Sequence, residues 1–474
     1  MPSIHVLIIL LSLLLGRDLA VARGDANAGS ALEFLAITSW VLLVAGVAMI
    51  ALPACARAAA HRGSWRLLRS GFGLAETLRW LVIVPFAAWA VLVDGVGVVE
   101  GWIGSWIALD EALTALPPLL ALLAIAWAEH PLHDRMRQAM MVRQLDEGGL
   151  PDRPPTRREA TLGKVRVMLA MPLIPVLLIV AWHETTAAVF ASAGRVAGIV
   201  DIAGTLVIVA LAPALIVRVL GTKPLTAGSL RDRVAVLCER MGTRVSGVRL
   251  WDHPSANAAI LGLLPIARYM LMTEPLVRAM PRQELDAVIA HELAHVRQHH
   301  VLWIVLSLVA LVTLLGIAQA PLEAALRMLS GPIPAGVVES TAFIVVAAIA
   351  IAGFGFISRL IERHADARAA VALGQEIAAE HDQPSDTVHP AGPHMMAAAL
   401  SKVAALNGVS PERWGFRHGS IAQRQRALGR LAGLPASRLP IDRAILALRS
   451  ATLVVLLAAG VFLLVGVARG WLRW

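Results

Sequence analysis

Two cysteines and a charged fraction of only 16% are the scarcest features of this 474-residue chain. Cys55 and Cys238 stand far apart in different kinds of segment, so neither a disulfide framework nor a cysteine metal site is expected. Little charge beside 57% hydrophobic residues and a mean hydropathy of +0.69 excludes an ordinary soluble globular protein. Lys and Arg are absent from 80 to 134, yet Arg57, Arg62, Arg66 and Arg69 crowd the second connection and Arg135, Arg137, Arg143, Arg153, Arg157, Arg158 and Lys164 a later one. The net charge of +9 therefore belongs to connections between apolar runs, and no nucleic-acid partner is expected.

What is present is a series of apolar runs at 4–20, 34–54, 80–99, 112–128, 167–182, 199–217, 301–319, 335–357 and 451–468. Each approaches the roughly 20 residues of a spanning helix, which gives eight or nine spans in a lipid bilayer. The run at 4–20 reads as a signal peptide or a first span, and the lack of Lys and Arg before it favours the span. Asp94, Glu100, Asp110 and Glu111 occupy a connection on the side opposite the arginines. Continuing this alternation puts 218–300 and 358–450 together on the cytoplasmic side. The Pro-, Gly- and charge-rich stretch 145–160 reads as a solvated loop, and 372–396 as a flexible one.

The stretch Pro281 to His300 carries His291, Glu292 and His295 in the spacing H-E-x-x-H, where Leu285, Val288 and Ile289 recur at helical steps. Residues four apart share one helix face, so both imidazoles can reach one metal ion. Zinc accepts neutral imidazole, and the intervening Glu292 is placed to act on water as a general base. Histidines at a helix end near a membrane surface are the alternative, and a third ligand decides between the two. Beyond the next two spans, 358–373 is helix-like and holds Glu362 and Asp366 on one face. Glu362 is the candidate ligand, Asp366 the partner of a ligand histidine, and His364 an alternative ligand rotated off that face. His299 and His300 read as the exit of a catalytic helix that begins near Arg282 and runs straight into the membrane. Between 226 and 275 the pattern predicts an amphipathic helix, then short strands at 248–252, 256–261 and 268–272 as an antiparallel meander, then a helix capped by Thr273.

Taken in order, NAAILG at 257–262, HELAH at 291–295, SRLIERHAD at 358–366 and HGSIAQRQRAL at 418–428 resemble the integral-membrane zinc metallopeptidases that include the heat-shock protease HtpX and the CAAX prenyl endopeptidase. The resemblance covers about residues 225–435. It implies His291, His295 and Glu362 as ligands of one zinc ion per chain, and Glu292 as general base. It further implies that Asn257, Ala258 and Ala259 lie on an edge strand that binds an extended polypeptide, and that His418 and Arg424 stand near the developing oxyanion. Gly419 departs from the family, which usually has Pro there. HELAH with E-x-x-x-D also resembles the peptidase domains of β-lactam sensor-transducers.

The expected fold is therefore mainly α: a polytopic membrane protein with a gluzincin-like zinc peptidase domain that contains a small antiparallel sheet. Its parts are a membrane region at 1–220, a first peptidase half at 221–300, two spans at 301–357, a second half at 358–450, and a last span and tail at 451–474. The expected function is zinc-dependent endoproteolysis of membrane-associated or misfolded polypeptides, in a bacterial inner membrane with the active site facing the cytoplasm. Cleavage of one regulator on a stimulus, or an inactive peptidase-like membrane protein, are the alternatives.

Overall fold

A computed structural model describes residues 2–23, 30–136, 138, 156–190, 194–253, 255–330, 335–380, 386–407 and 409–469. The chain divides into two compact units, Met1–Thr222 and Lys223–Trp474. Eight helices among the described residues are long and apolar enough to cross a membrane, and the protein is a mainly helical, multi-pass membrane protein.

The first unit is helical among its described residues: α1 (Pro2–Arg23), α2 (Ala31–His61), α3 (Trp65–Val93), α4 (Gly95–Ile103), α5 (Leu109–Ala128), α6 (Arg157–Met168), α7 (Ile174–Val189) and α8 (Arg195–Val219). A capping box starts α2, where Ser30 Oγ accepts from the Glu33 amide and the Glu33 carboxylate accepts from the Ser30 amide. Arg57, Arg66 and Arg69 lie on α2 and α3 instead of in a loop, and the connection is only the turn 62–64. A backbone crossing lipid must satisfy its own amides, so helices persist past the apolar run into the charged flank. For the same reason α3 begins well before the predicted run at 80. The predicted loop at 145–160 falls mostly outside the described residues, and its end from Arg157 is already helical.

In the second unit come β1 (Lys223–Pro224), α9 (Ser229–Arg240), β2 (Gly247–Trp251), β3 (Ala258–Leu261), β4 (Tyr269–Thr273), α10 (Glu274–Ala279) and α11 (Arg282–Arg297). They are followed by α12 (His300–Ser330), α13 (Ala335–Glu380), α14 (Ala391–Leu406), α15 (Ile421–Gly429) and α16 (Pro440–Ala468). The sheet is mixed, in the order β1-β2-β4-β3, with β2 parallel to β4 and β3 antiparallel to it. The expected meander fails because β4 is the strand whose Met270, Leu271 and Met272 are all buried, so it takes the central place. The half-buried Ala258, Ala259 and Ile260 are left at an edge. Gly262, at φ +108°, makes the reversal possible, since a Cβ there would come within 2.2 Å of the Ala267 carbonyl oxygen.

Under the sheet, Leu285, Val288, Ile289 and Leu293 of α11 pack with Val234 and Leu237 of α9 and Met270 and Met272 of β4. Burial of each such side chain contributes about 1.5–3 kcal/mol, so α11 is among the most firmly seated elements of this unit. Three expectations about helices are corrected. The span at 335–357 and the stretch at 358–373 are one continuous helix, α13, and the predicted loop at 372–396 is helical through Glu380 and again from Ala391. The catalytic helix does not run straight into the membrane: it stops at Arg297, and His299 takes φ +52° before α12 begins.

Candidate metal centre

Three elements supply the side chains of the site. His291 and His295 project from one face of α11, one turn apart, with ring centroids 4.9 Å from each other. From α13 comes Glu362, and Asp366 stands one turn further along the same helix. His418 sits in the turn before α15, and Arg424 is on α15 itself. His291, Glu362, Asp366 and Arg424 are buried, Glu292 and His295 are half-buried, and His418 is 43% exposed along its side chain, open to an incoming molecule.

His291 Nε2 lies 3.2 Å from His295 Nε2 and 3.6 Å from Glu362 Oε2, while His295 Nε2 lies 3.8 Å from Glu362 Oε1. Ligands about 2.0–2.2 Å from a tetrahedral zinc stand about 3.3–3.6 Å from one another. The three groups therefore converge as a shared cation requires, and one ligand atom from each lies within 4.8 Å of the others. The donor set, two imidazoles and a carboxylate, suits zinc. Burial disfavours a charged His291, but hydrogen bonding and charge from Asp366 and Glu362 outweigh it and push the ring up to about 10. Burial, helped by the positive charge of His291, holds His295 down to about 3. A ligand imidazole must be neutral, so a metal bound here displaces the proton that the two carboxylates favour on His291.

Each of these groups is itself held. His291 Nδ1 lies 3.0 Å from Asp366 Oδ1 and has no other partner among the described residues. Arg424 grips that carboxylate with two nitrogens, Nε donating to Oδ2 at 2.7 Å and Nη2 to Oδ1 at 2.6 Å. Burial opposes the charge on Arg424, but Asp366 and Glu362 outweigh it and raise its pKa further. The remaining nitrogen, Nη1, is 3.6 Å from Glu362 Oε2. Arg424, expected beside the oxyanion, thus has both edges turned to the carboxylates of α13. His418 Nδ1 approaches Glu362 Oε2 to 3.1 Å. Its turn is closed by paired bonds between the Gly415 and Gly419 backbones, at φ +70° for Gly419. Proline could adopt neither that φ nor that donation, which is why glycine stands here.

Glu292 is turned from α11 toward the sheet, where the Ile260 N–H donates to its carboxyl, and burial pushes that carboxyl up to about 7. Among the described residues, strand β3 pairs on one side only. The Asn257 carbonyl accepts from the Thr273 amide, and the Asn257 amide donates to Thr273 Oγ1. That hydroxyl, expected to cap α10, instead pins the start of the strand, and α10 has no side-chain cap. By the alternation of an antiparallel ladder, Ala259 also faces β4, whereas Ala258 and Ile260 turn their backbone groups to the free edge. Of Asn257, Ala258 and Ala259, only Ala258 turns its backbone outward, as does Ile260.

His364 is not among the converging ligands: the half-turn between it and Glu362 points it to the other side of α13. It meets His300, the first residue of α12, whose ring turns back toward His295. The break at His299 causes this, and no residue of the run HVRQHH announces it.

Comparison with known proteins now adds to this geometry. Residues 224–428 match the family model described as Peptidase family M48. That stretch of the chain is similar to the M48 peptidases. A "Protease HtpX homolog" of Bacteroides fragilis is 26% identical over 214 residues, 44% of this chain and 64% of its own length. Another of that name, from Pelotomaculum thermopropionicum, is 36% identical over 76 residues, 16% of this chain and 27% of its own. The chain thus spans less than two thirds of the length of either relative. A crystal structure of S. mikatae Ste24p superposes at TM-score 0.46 with 14% identity, over 90% of this chain and 99% of that one. So loose a likeness carries no residue role. The M48 match includes His291, Glu292, His295, Glu362, His418 and Arg424, and ends short of α16.

Proposed function

We propose that this protein is a membrane-embedded zinc endopeptidase that cleaves membrane-associated or misfolded polypeptides at a site on the cytoplasmic side. The observation that carries the reading is the convergence of His291 Nε2, His295 Nε2 and the Glu362 carboxylate, with Glu292 held between that point and the free edge of β3. The M48 match supports peptidase chemistry, and the alternation of basic and acidic connections supports the cytoplasmic side.

Zinc, when held by His291, His295 and Glu362, supplies Lewis acidity that acidifies water and polarises a carbonyl. The protein's own residues do the rest. An extended substrate adds a strand to β3, pairing with the outward amide and carbonyl of Ala258 and the outward carbonyl of Ile260. Because those contacts are to backbone, many sequences are accepted. Glu292 takes the proton from the attacking water and returns it to the departing amide nitrogen. His418, the exposed donor of the group, faces the oxygen on which charge develops. Asp366, clamped by Arg424, keeps His291 turned so that Nε2 points to the metal.

Purified full-length protein is expected to hold one zinc per chain and to cleave an unfolded polypeptide. A chelator should abolish cleavage and added zinc restore it. Full activity after the metal is stripped would sink the assignment.

A further inference from the structure

Behind His295 three more side chains continue in file. His295 Nδ1 lies 3.0 Å from His300 Nδ1, His300 Nε2 lies 2.8 Å from His364 Nδ1, and His364 Nε2 lies 3.1 Å from Asp442 Oδ1. His300 and His364 are 1% and 2% exposed, so water does not compete for these contacts. Asp442, in the first turn of α16, accepts from the Leu439 amide through Oδ2, and Arg368 Nη2 lies 2.6 Å from the same oxygen. The sharp turn at His299 brings His300 into line, and Arg449 of α16 secures that turn by donating to the Gln298 carbonyl at 2.7 Å.

A neutral imidazole has one N–H and one lone pair, so the file admits a single direction. An ionised carboxylate only accepts, and His364 must therefore carry its hydrogen on Nε2. Its Nδ1 then accepts from His300 Nε2, and His300 Nδ1 in turn accepts from His295 Nδ1. That leaves the lone pair of His295 on Nε2, the atom that faces His291 and Glu362. We propose that Asp442, acting through His364 and His300, selects the tautomer and orientation in which His295 binds the metal. The file does for the second imidazole what Asp366 does for the first, with a carboxylate acting at three removes instead of one. This inference rests on His291, His295 and Glu362 being zinc ligands. His300, His364 and Asp442 are positioning residues, and the last lies on α16, beyond the stretch that matches M48.

The test is the zinc affinity of the full-length protein, measured by competition with a chromophoric chelator. His300→Phe keeps a ring but neither donor nor acceptor, and should weaken zinc about ten- to a hundredfold. His300→Gln supplies both and should recover most of that loss, the reverse of the order that simple packing would give. Asp442→Asn should weaken zinc in the parent protein but no further in the His300→Phe background, because the file is already cut there. Parental affinity in His300→Phe, or an Asp442→Asn effect that adds in full to it, would overturn the proposal and leave Asp442 as the cap of α16. Should His300→Phe fail to fold, Asp442→Asn alone decides, parental affinity again being the contrary result. A parent protein without zinc, or a His291→Ala variant that keeps it, would instead refute the underlying zinc reading.

Discussion

Glu292 must be ionised to accept a proton, so activity rises with pH through its pKa. Burial raises that carboxyl to about 7, and a cation held by its neighbours acts in the opposite sense. The acid limb of kcat/KM, followed from pH 5 to 8, should therefore be half complete at or below about 7. A rate that falls steadily across that range would exclude Glu292 as the base. Asp366 yields a second expectation. Asp366→Ala leaves the buried Arg424 without its bidentate partner, and one-sided removal of a buried ion pair costs about 3–5 kcal/mol. Thermal unfolding should move down sharply and zinc should bind more weakly, whereas an unchanged midpoint would mean that the pair carries no weight. The candidate metal cluster was legible in the sequence because helical spacing puts His291 and His295, then Glu362 and Asp366, on common faces. Nothing local shows that Arg424 faces Asp366 or that His300 meets His364, because those contacts are made by residues 58 and 64 positions apart.

Helices were the readable elements, since apolar length and period determine them. α11 begins at Arg282 as its pattern predicts. The sheet was less readable: strand positions follow from composition, but order depends on which strand the core covers on both faces, and that placed β4 between β2 and β3. The resulting edge carries a prediction of its own. Ala258→Pro removes an outward amide without touching the ladder to β4, so KM for an unfolded polypeptide should rise while thermal stability changes little. Ala259→Pro removes a ladder amide and should destabilise the unit instead. Equal effects of the two would contradict the assigned register. At the turn before α15, Gly419→Ala places a Cβ in the left-handed region, at a cost of about 1–2 kcal/mol. Its position beside His418 means that turnover should fall more than zinc content does, and parental turnover would remove His418 from the mechanism.

Among the described residues, eight apolar helices stand beside a small sheet and a side-chain cluster that could hold a metal, and the cluster lies in the unit from Lys223 to Trp474. Membrane character was legible because composition alone excludes a soluble protein, and the side assigned to the site rests on the distribution of arginines. A single cysteine tests that side. In protein from which Cys55 and Cys238 have been replaced, Glu412→Cys should react with an impermeant thiol reagent only after the cells are opened, and labelling of intact cells would reverse the orientation. The central claim is that this chain cleaves peptide bonds with zinc held by His291, His295 and Glu362 and with Glu292 as the base. Its most direct test is the Glu292→Gln variant, assayed for cleavage and zinc on the same preparation. One zinc per chain with cleavage abolished is the predicted result, and cleavage at the parental rate would contradict the account.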